Sequence, residues 1–112
     1  MSKVFLDTNI IVYSLDQSNT GKRKICRDLI RSLAVDSNGV ISTQVMQEFY
    51  IAATAKLGAD PLLVKDILRS LEWLETVTVS PMLIKDAIDC SLINRLSFWD
   101  ALIVVSATSR YS

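Results

Sequence analysis

Apolar and polar positions follow two periods along the chain. Short β-branched runs occur at Val4-Phe5-Leu6, Val40-Ile41 and Val77-Thr78-Val79. Between them lie longer stretches whose apolar residues recur every three or four positions, the period of a helix with one buried face. Strands alternating with helices in this way predict βαβ units around a parallel sheet. The helices also carry start and stop signals. Thr20 and Gly21 precede a helix in which Ile25, Cys26, Leu29, Ile30 and Leu33 form one apolar stripe, and Asn38-Gly39 marks a turn into the second strand. Ser42-Thr43 caps a helix with Val45, Met46, Phe49, Tyr50 and Ala53 at helical spacing, which Gly58 ends. Asp60-Pro61 starts another, with Leu63, Val64, Ile67, Leu68, Leu71 and Leu74 on one face, so the two form a hairpin. Ser80-Pro81 opens a helix with Leu83, Ile84, Ala87 and Ile88 inward, and a last helix, apolar nearly all round, runs from about Phe98 to Ser109.

Composition narrows the chemistry. The 112 residues, half of them apolar, suffice for a core, and no repeat, low-complexity tract or linker divides them, so residues 1–112 read as one domain. Twelve basic and twelve acidic residues cancel, so any nucleic-acid contact must be a local patch. Lys22, Arg23, Lys24, Arg27 and Arg31 offer one, with Arg23, Arg27 and Arg31 four apart on one helix face. RNA phosphates suit such a face, and so does plain solvation opposite the apolar stripe. No histidine occurs, which excludes Ser-His and Cys-His catalysis and ordinary zinc ligation and leaves the work to carboxylates. Cys26 and Cys90 each lie at core spacing from a leucine and read as reduced, buried thiols. Trp73, Phe98 and Trp99 sit in apolar stretches and are expected in the core rather than as base-stacking platforms. The runs Ile10-Ile11-Val12 and Ala101 to Val105 are too short for a signal peptide or a membrane span, so a cytoplasmic protein is expected.

Three acids stand out, each with two readings. Asp7 directly follows the first strand, at the edge of a parallel sheet where ligand sites form, but Asp also caps helices, and one begins near Ile10. Glu48 adjoins the apolar stripe of its helix, which suggests a partly buried acid, although a lone helical glutamate is usually a surface residue. Asp100 interrupts Phe98-Trp99-Asp100-Ala101-Leu102-Ile103, where a carboxylate is costly unless paired or metal-bound, yet Ser97-Phe98-Trp99-Asp100 also fits a capping box. As a set they would converge on one side of the sheet with no cation beside them. Clustered carboxylates repel, and an all-oxygen site selects magnesium or manganese, the metals of phosphodiester hydrolysis. Thr8 and Asn9 would then orient Asp7 or the metal's waters.

The residues resemble the PIN domains, and among them the VapC-type toxins of toxin–antitoxin pairs. Val4-Phe5-Leu6-Asp7-Thr8-Asn9-Ile10 resembles the family's opening strand and first acid, Ser42 to Phe49 the segment bearing its Glu, and Leu96 to Ile103 the segment bearing its third acid. The likeness implies a three-layer α/β/α fold with a short parallel sheet. It also implies a Mg2+- or Mn2+-dependent endoribonuclease that cuts single-stranded RNA, with Asp7, Glu48 and Asp100 as metal ligands and a cognate antitoxin as inhibitor. The family continues into a fourth strand bearing another acid beside the first strand, whereas this sequence ends at Ser112. A fold cut short after the Asp100 helix is therefore expected, with Val4 to Leu6 as an exposed edge through which a homodimer would form. The alternative is a catalytically impaired PIN-fold module that binds a protein partner. A haloacid-dehalogenase-type phosphatase is disfavoured because Asn9 stands where its second Asp belongs, and a receiver domain because Val79-Ser80 ends the third strand without an acid.

Overall fold

Strands and helices alternate as the periodicity predicts in a computed structural model that describes residues 3–108. The order is β1 (Val4–Phe5), α1 (Thr8–Leu15), α2 (Thr20–Asp36), β2 (Gly39–Ser42), α3 (Thr43–Lys56), α4 (Pro61–Ser70), β3 (Glu75–Val77), α5 (Pro81–Asn94) and α6 (Phe98–Ser106). β1 pairs in parallel with β2, Val4 opposite Gly39, and β2 in parallel with β3, Val40 opposite Glu75. Each crossover between parallel neighbours holds two helices, since such strands cannot be joined by a tight turn.

The pleat sends successive side chains to opposite faces. Leu6 and Ile41 pack with Ile11, Leu33, Phe49, Ala53 and Val64 from α1 to α4. Phe5, Val40 and Val77 pack with Leu83, Ala87, Ala101, Leu102 and Val105 from α5 and α6. The sheet is thus covered on both faces, giving the α/β/α layering, and among the described residues β1 forms one edge in the order β1-β2-β3.

Helix starts follow the sequence signals closely. The side chains of Ser42, Asp60, Ser80 and Ser97 accept the amides of Val45, Leu62, Leu83 and Asp100 at 2.8–3.2 Å, caps worth about 1 kcal/mol each. α2 is capped by Asn19, whose Oδ1 accepts the Lys22 amide at 3.1 Å, one residue before the expected Thr20. Between α3 and α4, Gly58 turns the chain at φ +64°, a left-handed conformation that a side chain disfavours. In the α1–α2 turn, Asp16 accepts bonds from both the hydroxyl and the amide of Ser18, which holds its carboxyl below the usual aspartate range.

Several apolar positions fall outside the core. Ile25 is 69% exposed, and Leu63, Ile84, Ile88, Ile103 and Val104 also face outward. The reason is common to all: an outer-layer helix touches the sheet along one stripe, and these residues flank stripes occupied by Cys26 and Leu33, Val64, Leu83 and Ala87, and Ala101, Leu102 and Val105. Cys26 is buried as expected but Cys90 only half-buried, and both are free thiols. Trp73 and Trp99 are exposed rather than core residues, while Phe98 packs against the second core cluster. The third strand lies two residues earlier than its β-branched run, and Ser109, the expected end of the last helix, lies outside the described residues. No helix among the described residues is long and apolar enough to cross a membrane.

Gly39 opens β2 against the α2 side of the core. A Cβ there would meet Leu74 Cδ2 at 2.5 Å and Leu33 Cβ at 3.2 Å. Gly39→Ala is therefore expected to cost about 1–3 kcal/mol through overpacking, seen as a lower denaturant midpoint; an unchanged midpoint would show that Leu74 yields freely.

Candidate active site

Two strand ends and two helix starts build a cleft at the carboxyl edge of the sheet. Leu6, 3% exposed, anchors the end of the first strand, and Asp7 follows in extended conformation with α1 beginning at Thr8. Asp7 occupies the cap position of α1, but its side chain makes no capping bond. The helix start therefore does not use this carboxylate, which stands exposed at the cleft.

Ser42 turns β2 into α3, where Phe49 and Ala53 are fully buried and fix the rotation of the helix. Glu48, one residue before Phe49, is exposed rather than partly buried, because its neighbour takes the core position. Its carboxylate is nonetheless held in place. Thr8 Oγ1 donates to Oε2 and Gln44 Nε2 to Oε1, each at 2.7 Å. Thr8, expected to serve Asp7, thus orients Glu48 and ties α1 to α3. Asn9 is exposed and lines a cavity with both acids.

Three cavities meet around Glu48. One of about 240 Å³ lies between Phe5, Leu6 and Asp7, the start of α3, and Trp99, Leu102 and Ile103 of α6. A second, about 510 Å³, is bordered by Asp7, Thr8, Asn9, Glu48 and, at the far end of α3, Lys56. The third, about 530 Å³, runs past Gln44, Gln47, Phe98 and Trp99. Glu48 borders all three and Asp7 the first two.

Asp100 lines none of them. It sits in the first turn of α6, its amide bonded to Ser97 Oγ at 3.1 Å, and is exposed. The buried, costly carboxylate expected from its apolar surroundings is not realised, because Ala101 and Leu102 take the inward positions and leave Asp100 to solvent. None of the three acids forms an ion pair among the described residues. Nor does any group of three or more His, Cys, Asp or Glu there lie close enough to hold a metal. What the fold brings together is a pair, Asp7 and Glu48. Two carboxylates that pair with no cation among the described residues offer the hard oxygen donors that small divalent ions take, such ions keeping several waters and using one or two carboxylates plus substrate phosphate.

The basic face of α2 is largely engaged locally. Arg27 Nε donates to the Ser14 carbonyl at 2.8 Å, Lys24 and Arg31 flank Asp28 at 3.6 and 3.5 Å, and Lys22 stands 4.6 Å from the Tyr13 ring centre. Lys22, Arg23, Lys24, Arg27 and Arg31 line none of the three cavities. Sequence reasoning missed Gln44, Lys56 and Trp99 as cleft residues. Gln44 was legible in principle, four residues before Glu48 on one helix; Lys56 and Trp99 reach the cleft only through packing.

Fold and site together define a three-layer α/β protein whose parallel sheet carries at its carboxyl edge a pair of carboxylates that no cation among the described residues pairs with. The PIN domain model matches residues 4–111, and the chain belongs to the PIN domain family. PIN domains are generally metal-dependent nucleases. No curated protein matches the chain.

Proposed function

We propose that this chain is a toxin-type endoribonuclease of the VapC kind, a single PIN unit acting on RNA with Mg2+ or Mn2+ and restrained by a cognate antitoxin. One observation carries the catalytic part: Asp7 and Glu48, from segments forty-one positions apart, share two cavities, and among the described residues no cation pairs with either. A divalent cation held by these two carboxylates would supply an activated water and neutralise charge at the phosphodiester.

The chain's own groups prepare that site. Thr8 and Gln44 each donate to one oxygen of Glu48, fixing the plane of the carboxylate while leaving further lone pairs for a ligand. Asp7 spends neither oxygen on capping α1 and pairs with no cation among the described residues. Asp100 enters only through the family resemblance, as a metal ligand directly or through water. Cytoplasmic location and pairing of two copies along the β1 edge belong to the same proposal.

RNA cleavage with manganese and with chelator, beside Asp7→Asn and Asp100→Asn, tests it. Metal-dependent cutting lost in Asp7→Asn is expected; equal cutting by all three chains would remove the assignment. Thr8→Val should lower cutting by about 10- to 100-fold, the usual effect of losing a group that orients a ligand, and an unchanged rate would show that Glu48 needs no orienting. The alternative, a protein-binding module without catalysis, is favoured by one fact: no third acid reaches the cavities among the described residues. It predicts no cleavage by any of these chains.

A further inference from the structure

We propose that Trp99 is a stacking platform for an unpaired base of the RNA whose phosphodiester reaches Asp7 and Glu48, an inference that rests on the nuclease reading above. The indole is 59% exposed in a chain with only two tryptophans. It is not loosely held. Phe98 packs edge-on against it, with ring centres 5.2 Å apart and planes at 72°, and Phe98 is itself packed on the core formed by α5, α6 and the sheet. Ser97 caps the helix turn that carries both rings. A large aromatic surface is thus fixed in water, at a cost in exposed apolar area that a ligand would recover.

Its position supplies the ligand's chemistry. Trp99 borders two of the cavities that Glu48 borders, one of them shared with Asp7. A substrate strand reaching Glu48 through either of these cavities would run beside the indole. The neighbouring cavity walls offer Thr43, Gln44 and Gln47, neutral hydrogen-bonding groups suited to base edges and sugars rather than to a charged side chain. On the other side of the acids, Lys56 is, among the described residues, the one cation lining the three cavities and is placed for a phosphate of the same strand. An acidic protein segment would instead meet two carboxylates and a single lysine. Bases in a duplex have their faces covered by their neighbours, so a stacking platform selects unpaired nucleotides.

The test uses the full chain carrying Trp73→Phe, which leaves Trp99 as the sole tryptophan, and Asp7→Asn, which blocks cutting and relieves repulsion of the strand. A single-stranded oligoadenylate of about eight nucleotides is titrated at low salt, following tryptophan emission and, separately, anisotropy of the labelled strand. Saturable quenching is expected, absent when the same strand is annealed to its complement. Adding Trp99→Ala should weaken binding by about 5- to 150-fold, and Trp99→Phe should restore most of it. Trp99→Ala loses the edge contact with Phe98, so its thermal melt should fall slightly below that of the parent while the chain stays folded at the titration temperature, and Trp99→Phe should melt with the parent. No quenching, or an alanine variant that binds within about twofold of the parent, overturns the proposal. If the wild-type chain still cuts RNA with manganese in that case, the nuclease reading stands and only the platform falls. If it neither cuts nor binds, both fall, and Trp99 is left as a surface for a protein partner.

Discussion

Phe49→Ala is expected to lower the unfolding free energy by about 3–5 kcal/mol, the largest stability loss foreseen for a single side chain here. Phe49 is fully buried and heads the largest side chains at zero exposure. It belongs to the cluster that joins Leu6 and Ile41 to Ile11, Leu33 and Val64 of the covering helices, and α3, which carries it, packs on α1, α4 and β2, so its removal leaves a cavity at the centre of that side of the fold. A domain of this size has a total stability of about 5–15 kcal/mol, so the variant should be substantially unfolded at moderate urea. Denaturant melts followed by circular dichroism measure this. A loss under about 1 kcal/mol would mean that α3 is not docked as described, and the position of Glu48 would fall with it.

The second large effect is on activity. Asp7→Asn should reduce metal-dependent RNA cleavage by at least about a hundredfold, the upper end of what removing a group that merely orients a ligand costs. It should do so without destabilising the fold. Asp7 makes no capping bond with its side chain and pairs with no cation among the described residues, so the change removes no stabilising contact. The melting temperature should therefore stay level or rise, the pattern of a residue kept for function and not for stability. Activity and melting temperature lost together would instead mark Asp7 as structural. Asp100→Asn discriminates further. Because Asp100 borders none of the three cavities, a loss comparable to that of Asp7 would mean either that it reaches the site through water or that α6 shifts toward the acid pair when substrate or metal binds.

Much of this architecture was legible along the chain. Cap residues and prolines located the starts of α4, α5 and α6, and Gly58 the end of α3, because these signals act over three or four neighbouring residues. The β-branched runs located three strands, with β3 shifted toward Glu75 because strand pairing with Val40 to Ser42, not local preference, decides which residues join the ladder. Periodicity overestimated the core at Ile25, Leu63, Ile84 and Ile88: it shows that a helix has an apolar side but not how wide a stripe its neighbours cover.

The candidate site divides along the same line. By itself the sequence determined that carboxylates must carry any chemistry, since histidine is absent, and that Asp7 stands at the end of the first strand, since local pattern places it there. Only the tertiary structure decided which acids meet. The rotation of α3, set by Phe49 and Ala53, brings Glu48 to Thr8 and the Asp7 cleft, while the rotation of α6, set by Ala101 and Leu102, turns Asp100 to solvent and leaves Trp99 at the cavity wall. Those rotations depend on how whole helices seat against a shared sheet, a many-residue packing outcome that no local stretch of sequence encodes.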